Sequence, residues 1–256
     1  MKLLTLARDL QRRRARERQG LFVCEGVRTV EELLRSALQP RGALVAPQLT
    51  EQPRGAALLQ SLHARAVQVQ EVSASDFATA AETETPQGVL AIAEVPEQTL
   101  AALPATASLR LLVLDALQDP GNVGTILRTA AALGAFATIA LPGTVDLWNA
   151  KVVRSSMGAQ FHHPTLSCTW DELEAFRAER GILLWGADAA GYAIDELLRD
   201  TSAPARLALA VGNEGSGLSA SVREHADVLV SLPIAATVES LNVAVATGIL
   251  LYQLRP

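Results

Sequence analysis

The chain has 256 residues, 49% of them hydrophobic, and a formal net charge of −5. That length and apolar content fit one large domain or two small ones around a packed core, and the negative balance excludes a protein that grips nucleic acid through a uniformly positive surface. No apolar run reaches the roughly 18 residues of a membrane span, the N-terminus turns basic after a short apolar start, and Cys24 and Cys168 form no C-x-x-C pair, so membrane, secreted, disulfide-bonded and zinc-bound classes are set aside and the cytoplasm is expected. Residues 3–18 are predicted as one arginine-rich helix, with Arg8, Arg12, Arg13, Arg14, Arg16 and Arg18 facing only Asp9 and Glu17. On charge alone this is equally a solvated helix face. LFVCEG is then a short strand closed by Gly26, and Val27, Val30, Leu33, Leu34 and Ala37 fall on one face of a helix. GALVA, VQVQEV and GVLAIAEV are strands; RGAALLQSLHARA is a helix, and SASDFATAAE is a short helix that Ser73 or Ser75 can cap. Strand and helix alternate through residues 20–95, the signature of a small α/β layer. VPEQTLAALPATASL has prolines and little periodicity, and is predicted as a linker at residues 96–108.

The second half repeats the alternation. RLLVLDAL, FATIALP, GILLWGAD, LALAV and VLVSLP are strand candidates; NVGTILRTAAALG, LWNAKVVRSSMGA, DELEAFRAER and YAIDELLRD are helical, with Gly134 expected as a left-handed stop. This predicts an α/β fold with a mostly parallel sheet, whose ligands sit beyond the carboxyl ends of the strands. Three loops lie there. In the first, a helix wound from Asn122 turns Val123, Ile126, Leu127, Ala130 and Leu133 to a core and Arg128 to the other side, one turn beyond Gly124. In the second, GNEGSG leaves backbone N–H groups bare at Gly212, Gly215 and Gly217 and sets Glu214 among them. It has neither the P-loop ending nor the G-x-G-x-x-G spacing. In the third, ESLNVAVATGILLYQL is apolar almost all round and is predicted as a buried closing helix with Glu239, Ser240 and Asn242 in its first turn, residues that also serve as helix caps. His63, His162, His163 and His225 form no catalytic pattern, and neither G-x-S-x-G nor H-E-x-x-H occurs.

Asn122, Gly124 and Arg128 as N-x-G-x-x-x-R, followed by GNEGSGL and SLPIAATVESLNVAVATGILLY, resemble the three motifs of the SpoU/TrmH family of RNA ribose 2′-O-methyltransferases. The resemblance implies a knotted C-terminal domain over residues 109–256, with a deep trefoil knot, and an N-terminal RNA substrate-binding domain over residues 1–95 similar to a ribosomal-protein α/β fold. The stretch RRRARERQGLFVCEGVRTVEELLRSA, with Glu25, Gly26 and Arg28, is similar to the start of that domain. The implied cofactor is S-adenosylmethionine, held near Gly212, Leu232, Leu241 and Ser240, with no metal. The implied catalytic set is Asn122, Arg128, Glu214, Ser240 and Asn242. RNA contacts are expected at Arg12, Arg13, Arg14, Arg28, Lys151 and Arg154, the last two in a KVVRSSMGA stretch that also matches the family. A homodimer with its active site completed across the interface is implied, and ribosomal RNA is favoured over transfer RNA.

This sequence departs from the family at Ala236, where glycine is usual, and at Thr237, where a longer and often basic residue is frequent. The alternatives are a transfer RNA methyltransferase of the same family, a catalytically silent RNA-binding relative, a nucleotide-dependent oxidoreductase and a methyltransferase acting on a base. The family proposal makes the motif arginine a general base, but a guanidinium does not readily lose a proton. A clamp on the target phosphate that also stabilises the forming alkoxide is the preferred role for Arg128, with the proton acceptor left open.

Overall fold

The computed structural model describes residues 2–199, 202–235 and 237–255. In chain order the first elements are α1 (Leu3–Leu10), α2 (Arg13–Gln19), β1 (Leu21–Glu25), α3 (Val27–Arg35), β2 (Pro40–Val45), α4 (Pro53–Ala64), β3 (Val69–Glu71), α5 (Ala74–Ala78) and β4 (Val89–Glu94). Next come β5 (Leu109–Asp115), α6 (Pro120–Ala132), β6 (Ala137–Ala140), α7 (Ala150–Ser155), β7 (Thr165–Ser167), α8 (Trp170–Arg180) and β8 (Leu183–Ala193). The series closes with α9 (Ile194–Leu197), β9 (Arg206–Gly212), α10 (Ala220–His225), β10 (Val228–Ser231) and α11 (Val243–Gln253). The chain divides into two compact units: residues up to Glu97 with Trp148–His162, and Gln98–Leu147 with the residues from His163 onward.

In the first unit four strands lie in the order β1-β4-β2-β3, antiparallel except for the β2–β3 pair. Phe22 is completely buried in β1, its ring 4.5 Å from that of Trp148 and 5.8 Å from that of Phe161, so the 148–162 segment supplies aromatic core to this unit. The single arginine-rich helix expected at the N-terminus is two helices. Asp9 collects Arg12, Arg18 and Gln19, and buried Arg16 donates to the carbonyls of Leu10 and Gln11 at 2.8 and 2.9 Å. These bonds satisfy carbonyls that the break leaves open. Ser73 is the residue that caps α5, accepting from Asp76 N.

In the second unit six strands run in the order β10-β8-β9-β5-β6-β7, every neighbouring pair parallel. The central strands β5 and β9 are apolar almost throughout, as a parallel sheet buried on both faces requires. Gly134 takes the expected left-handed conformation, φ +80°. Two expectations are corrected and one helix is added. β8 runs on to Ala193 because a register shift against β10 lets Tyr192 and Ala193 pair with Val230 and Ser231. α10, unassigned from sequence, forms behind a Ser219 cap. The closing helix starts only at Val243, with Glu239–Leu241 before it, and is not buried all round: Val245, Ile249 and Tyr252 are 53%, 41% and 52% exposed. The Ala236 departure lies outside the described residues.

His163 is buried in this unit with Nε2 2.8 Å from Thr138 Oγ1, and burial pushes its pKa down from 6.5 to about 4. The unfolded chain takes up that proton near pH 6.5 and the folded chain only near pH 4, so the stabilisation is complete above pH 6.5 and is lost as the pH falls toward 4. In urea titrations at pH 7 and pH 5, the native protein is expected to lose on the order of 2 kcal/mol more than the His163→Asn variant.

Candidate active site

The three motif loops meet through side-chain hydrogen bonds. Pro120 occupies the first turn of α6, where its missing N–H costs nothing, and the N-cap Asp119 accepts from Asn122 N at 2.8 Å. Asn122 is thereby fixed at the helix entrance. Its Nδ2 donates to Glu214 Oε1 at 3.1 Å, and its Oδ1 accepts from Asn242 Nδ2 at 3.0 Å. Asn242 Oδ1 in turn caps α11, accepting from Ala244 N at 2.9 Å and Val245 N at 3.4 Å. One amide therefore caps a helix and joins the network.

Glu214 also accepts from the backbone N–H groups of Gln118 and Asp119, at 3.4 and 3.3 Å. Burial pushes its carboxyl pKa up, but the bonds from Asn122 and from these backbone groups together outweigh burial, and the net shift is downward. Glu214 is held as the carboxylate, an acceptor only. The glycine loop carrying it is closed by two backbone bonds of 2.9 Å between Asn213 and Gly217. Gly217 has φ +71°, and a Cβ at Gly212 would stand 2.3 Å from the Gly217 carbonyl carbon, so both positions demand glycine. Sequence reasoning missed Asn213, whose Oδ1 accepts from Gly215 N and Ser216 N while Nδ2 donates to Ala116 O. It also missed Asp115, which accepts from Ser219 N at 2.6 Å, and Asp119, although Asp-Pro before a helix is a legible cap signal.

A cleft of about 350 Å³ opens at the carboxyl ends of β9 and β10 beside the middle of β8, lined in part by Gly212, Glu214, Leu232, Ser240, Leu241 and Asn242. Every residue expected to hold the cofactor lies on it. Its size falls within the roughly 300–1,000 Å³ of small-molecule sites. Apolar walls at Val230, Ala246 and Leu250, with the glycine-loop backbone and a few polar groups, suit a small molecule that has both apolar and polar parts. Arg128 stands apart. It is exposed on α6 and does not line the cleft.

The RNA-contact candidates belong to the first unit. Arg12 pairs with Asp9 and Arg13 with Glu17, while Arg14 and Arg28 are exposed. Lys151 and Arg154 lie on α7 near Glu82, whose carboxyl pKa is raised by burial, an effect that both cations, with Arg16, only partly offset. Lys151 is exposed and Arg154 is partly covered, so of these two Lys151 is the more available to a ligand.

A ligand cleft at the carboxyl ends of parallel strands, rimmed by loops locked to one another, defines a cofactor-binding α/β enzyme domain. The SpoU rRNA methylase family profile matches residues 110–252, and an MRM3-like substrate binding domain profile matches residues 5–91. The chain belongs to the SpoU rRNA methylase family. It is 36% identical to the 23S rRNA (guanosine(2553)-2′-O)-methyltransferase RlmP of Bacillus subtilis (strain 168) over 253 residues, 97% of this chain and 94% of that one. It is 38% identical to the 23S rRNA (guanosine-2′-O-)-methyltransferase RlmB of Escherichia coli (strain K12) over 143 residues, 56% of this chain and 58% of that one. An AdoMet-bound rRNA methyltransferase from Sinorhizobium meliloti superposes with a TM-score of 0.84 at 28% identity, covering 98% of this chain and 93% of that one. The SpoU methyltransferase AviRb from Streptomyces viridochromogenes, in complex with AdoMet, gives 0.84 at 27%, covering 99% and 97%.

Asn242→Asp separates the two tasks of that residue. The aspartate still caps α11 but no longer donates to Asn122, so the melting temperature is expected to stay within about 2 °C while turnover falls at least tenfold; Asn242→Ala is expected to lose about 1 kcal/mol of stability as well. Thermal melts and single-turnover rates on the two variants check this.

Proposed function

We propose that the protein transfers a methyl group from S-adenosylmethionine to the 2′-hydroxyl of one ribose in ribosomal RNA. The observation that carries this reading is the Glu214–Asn122–Asn242 hydrogen-bond chain on the rim of the cleft, in a member of the SpoU rRNA methylase family. The cofactor, when bound, supplies a methyl group made electrophilic by its sulfonium.

The residues then have to place the ribose and manage its proton. Backbone groups at Gly212, Leu232 and Leu241 hold the cofactor, and Ser240 and Asn242 shape the pocket around it. Asn122 and Glu214 orient the sugar. Arg128 clamps the target phosphate and stabilises the forming alkoxide through its fixed positive charge. Residues 109–256 are the methyltransferase domain and residues 1–95 the RNA-binding domain; Arg12, Arg13, Arg14 and Arg28 of the latter, with Lys151 and Arg154 on the 148–162 segment that packs in the first unit, are the contacts to test. Ribosomal RNA as substrate puts the reaction in the cytoplasm. No helix among the described residues is long and apolar enough to cross a membrane.

The working unit in this reading is a homodimer that brings Arg128 of one protomer to the cleft of the other. Two features support it. Arg128 is exposed outside the cleft of its own chain, and α11, which packs on α6, presents the apolar stripe Val245, Ile249 and Tyr252.

Incubation with labelled cofactor and ribosomal RNA is expected to leave one phosphodiester resistant to alkali, because the methylated 2′-oxygen can no longer attack it. Arg128→Ala is expected to lower the rate about 10²–10³-fold with cofactor affinity unchanged. Incorporation at an alkali-labile position would mean a base is methylated instead. In light scattering the protein is expected at twice its 27.1 kDa chain mass, and Ile249→Glu at one chain mass with activity lost together with dimerisation.

A further inference from the structure

The cleft has two walls from separate parts of the sequence. One is the middle of β8, Ala187–Ala189; the other is the glycine loop from Gly212 to Gly217. An ion pair links the first wall to α10, the helix that follows the glycine loop. Arg223 of α10 donates through Nη2 to Oδ2 of Asp188, and Asp188 Oδ1 accepts from Ala190 N at 2.9 Å. Both carboxylate oxygens are thus taken by the protein. The Asp188 side chain is only 9% exposed although its residue borders the cleft, whereas Arg223 is 45% exposed.

Two residues, Leu218 and Ser219, separate the glycine loop from α10. Its start is tied to β5 by the bond from Ser219 N to Asp115, and the Arg223 guanidinium stands close to Gly217, where a Cβ would lie 3.9 Å from Nη2. The segment that leaves the loop is therefore tied to β5 through Ser219 and, one turn into α10, to the first wall through Arg223. We infer that Asp188 and Arg223 form a positioning pair that sets the spacing of the cofactor cleft's two walls. Neither residue touches the reacting groups; the pair acts through the backbone of Ala187–Ala189 and of the glycine loop. A site held to within about half an ångström needs such support behind its contact surface. The inference rests on the cleft being the S-adenosylmethionine site.

The full-length protein tests it by calorimetric titration with S-adenosylmethionine, steady-state kinetics on ribosomal RNA and thermal melts. Asp188→Asn keeps the shape and the Ala190 contact but removes the charge; Arg223→Met removes the partner at an exposed position where folding is not at stake. Each is expected to raise the cofactor Kd and its KM about tenfold, with kcat at saturating cofactor and the KM for RNA within twofold of the native values. The double variant is expected to be no weaker than either single one, and Arg223→Lys to recover most of the affinity. Lower melting temperatures with an unchanged cofactor Kd would overturn the inference, leaving a pair that only stabilises α10, and so would a fall in kcat with Kd unchanged. If the native protein does not bind S-adenosylmethionine, the reading of the cleft fails and the inference with it. Native binding that the variants leave intact overturns the pair alone.

Discussion

An ionised carboxylate can only accept hydrogen bonds, and from that constraint at Glu214 the geometry of the site follows. Because Glu214 accepts, Asn122 must turn its Nδ2 toward it and its Oδ1 away. That oxygen needs a donor, which Asn242 provides, and the Asn242 oxygen is then left to face the open N–H groups of α11. Each amide has one orientation consistent with its neighbours. The chain links residues 92 and 120 positions apart, so two side-chain bonds tie the three loops to one another. Replacing Glu214 with an apolar residue leaves Asn122 Nδ2 without its acceptor and removes the constraint that orients the line as far as the helix cap.

The sheet brings these loops within reach. In a parallel sheet the carboxyl ends of neighbouring strands share one edge, and Asp115 at the end of β5 pairs directly with Gly212 at the end of β9. The loop before α6 and the glycine loop therefore leave the sheet side by side. Asp115, buried, answers the N–H of Ser219 on the far side of the glycine loop, so that loop leaves from one anchored point and returns to another.

Much of this was legible in the sequence, for identifiable reasons. β5 and β9 are unbroken apolar runs, α6 carries Asp-Pro at its start and Gly134 at its end, and the motif glycines mark close backbone approach. The breaks were harder to read. The division of the first helix depends on Asp9 and Arg16 reaching groups up to ten residues away, which periodicity does not register. The extended β8 depends on a register shift against a strand that comes later in the chain. Apolar content alone made the closing helix look buried, because composition does not say whether the partner of an apolar face is the same chain or another surface. The strand order, with β9 beside β5, is a property of the sheet that no local pattern carries. Asn213 and Asp188 passed unnoticed because their partners are backbone groups or a residue on another element.

The excursion of Trp148–His162 bears on how the protein can be divided. Phe22 in β1 is enclosed by Trp148 and Phe161, and a Cβ at Gly158 would collide with Glu32, so the first unit's interior is finished by a segment encoded between β6 and β7. Severing the polypeptide at the proline-bearing connector would leave an N-terminal fragment with an aromatic ring uncovered and a C-terminal fragment trailing an orphaned hydrophobic loop. The place where the backbone looks easiest to cut is thus not a seam in the packing, and neither half is a ready-made module for transplantation.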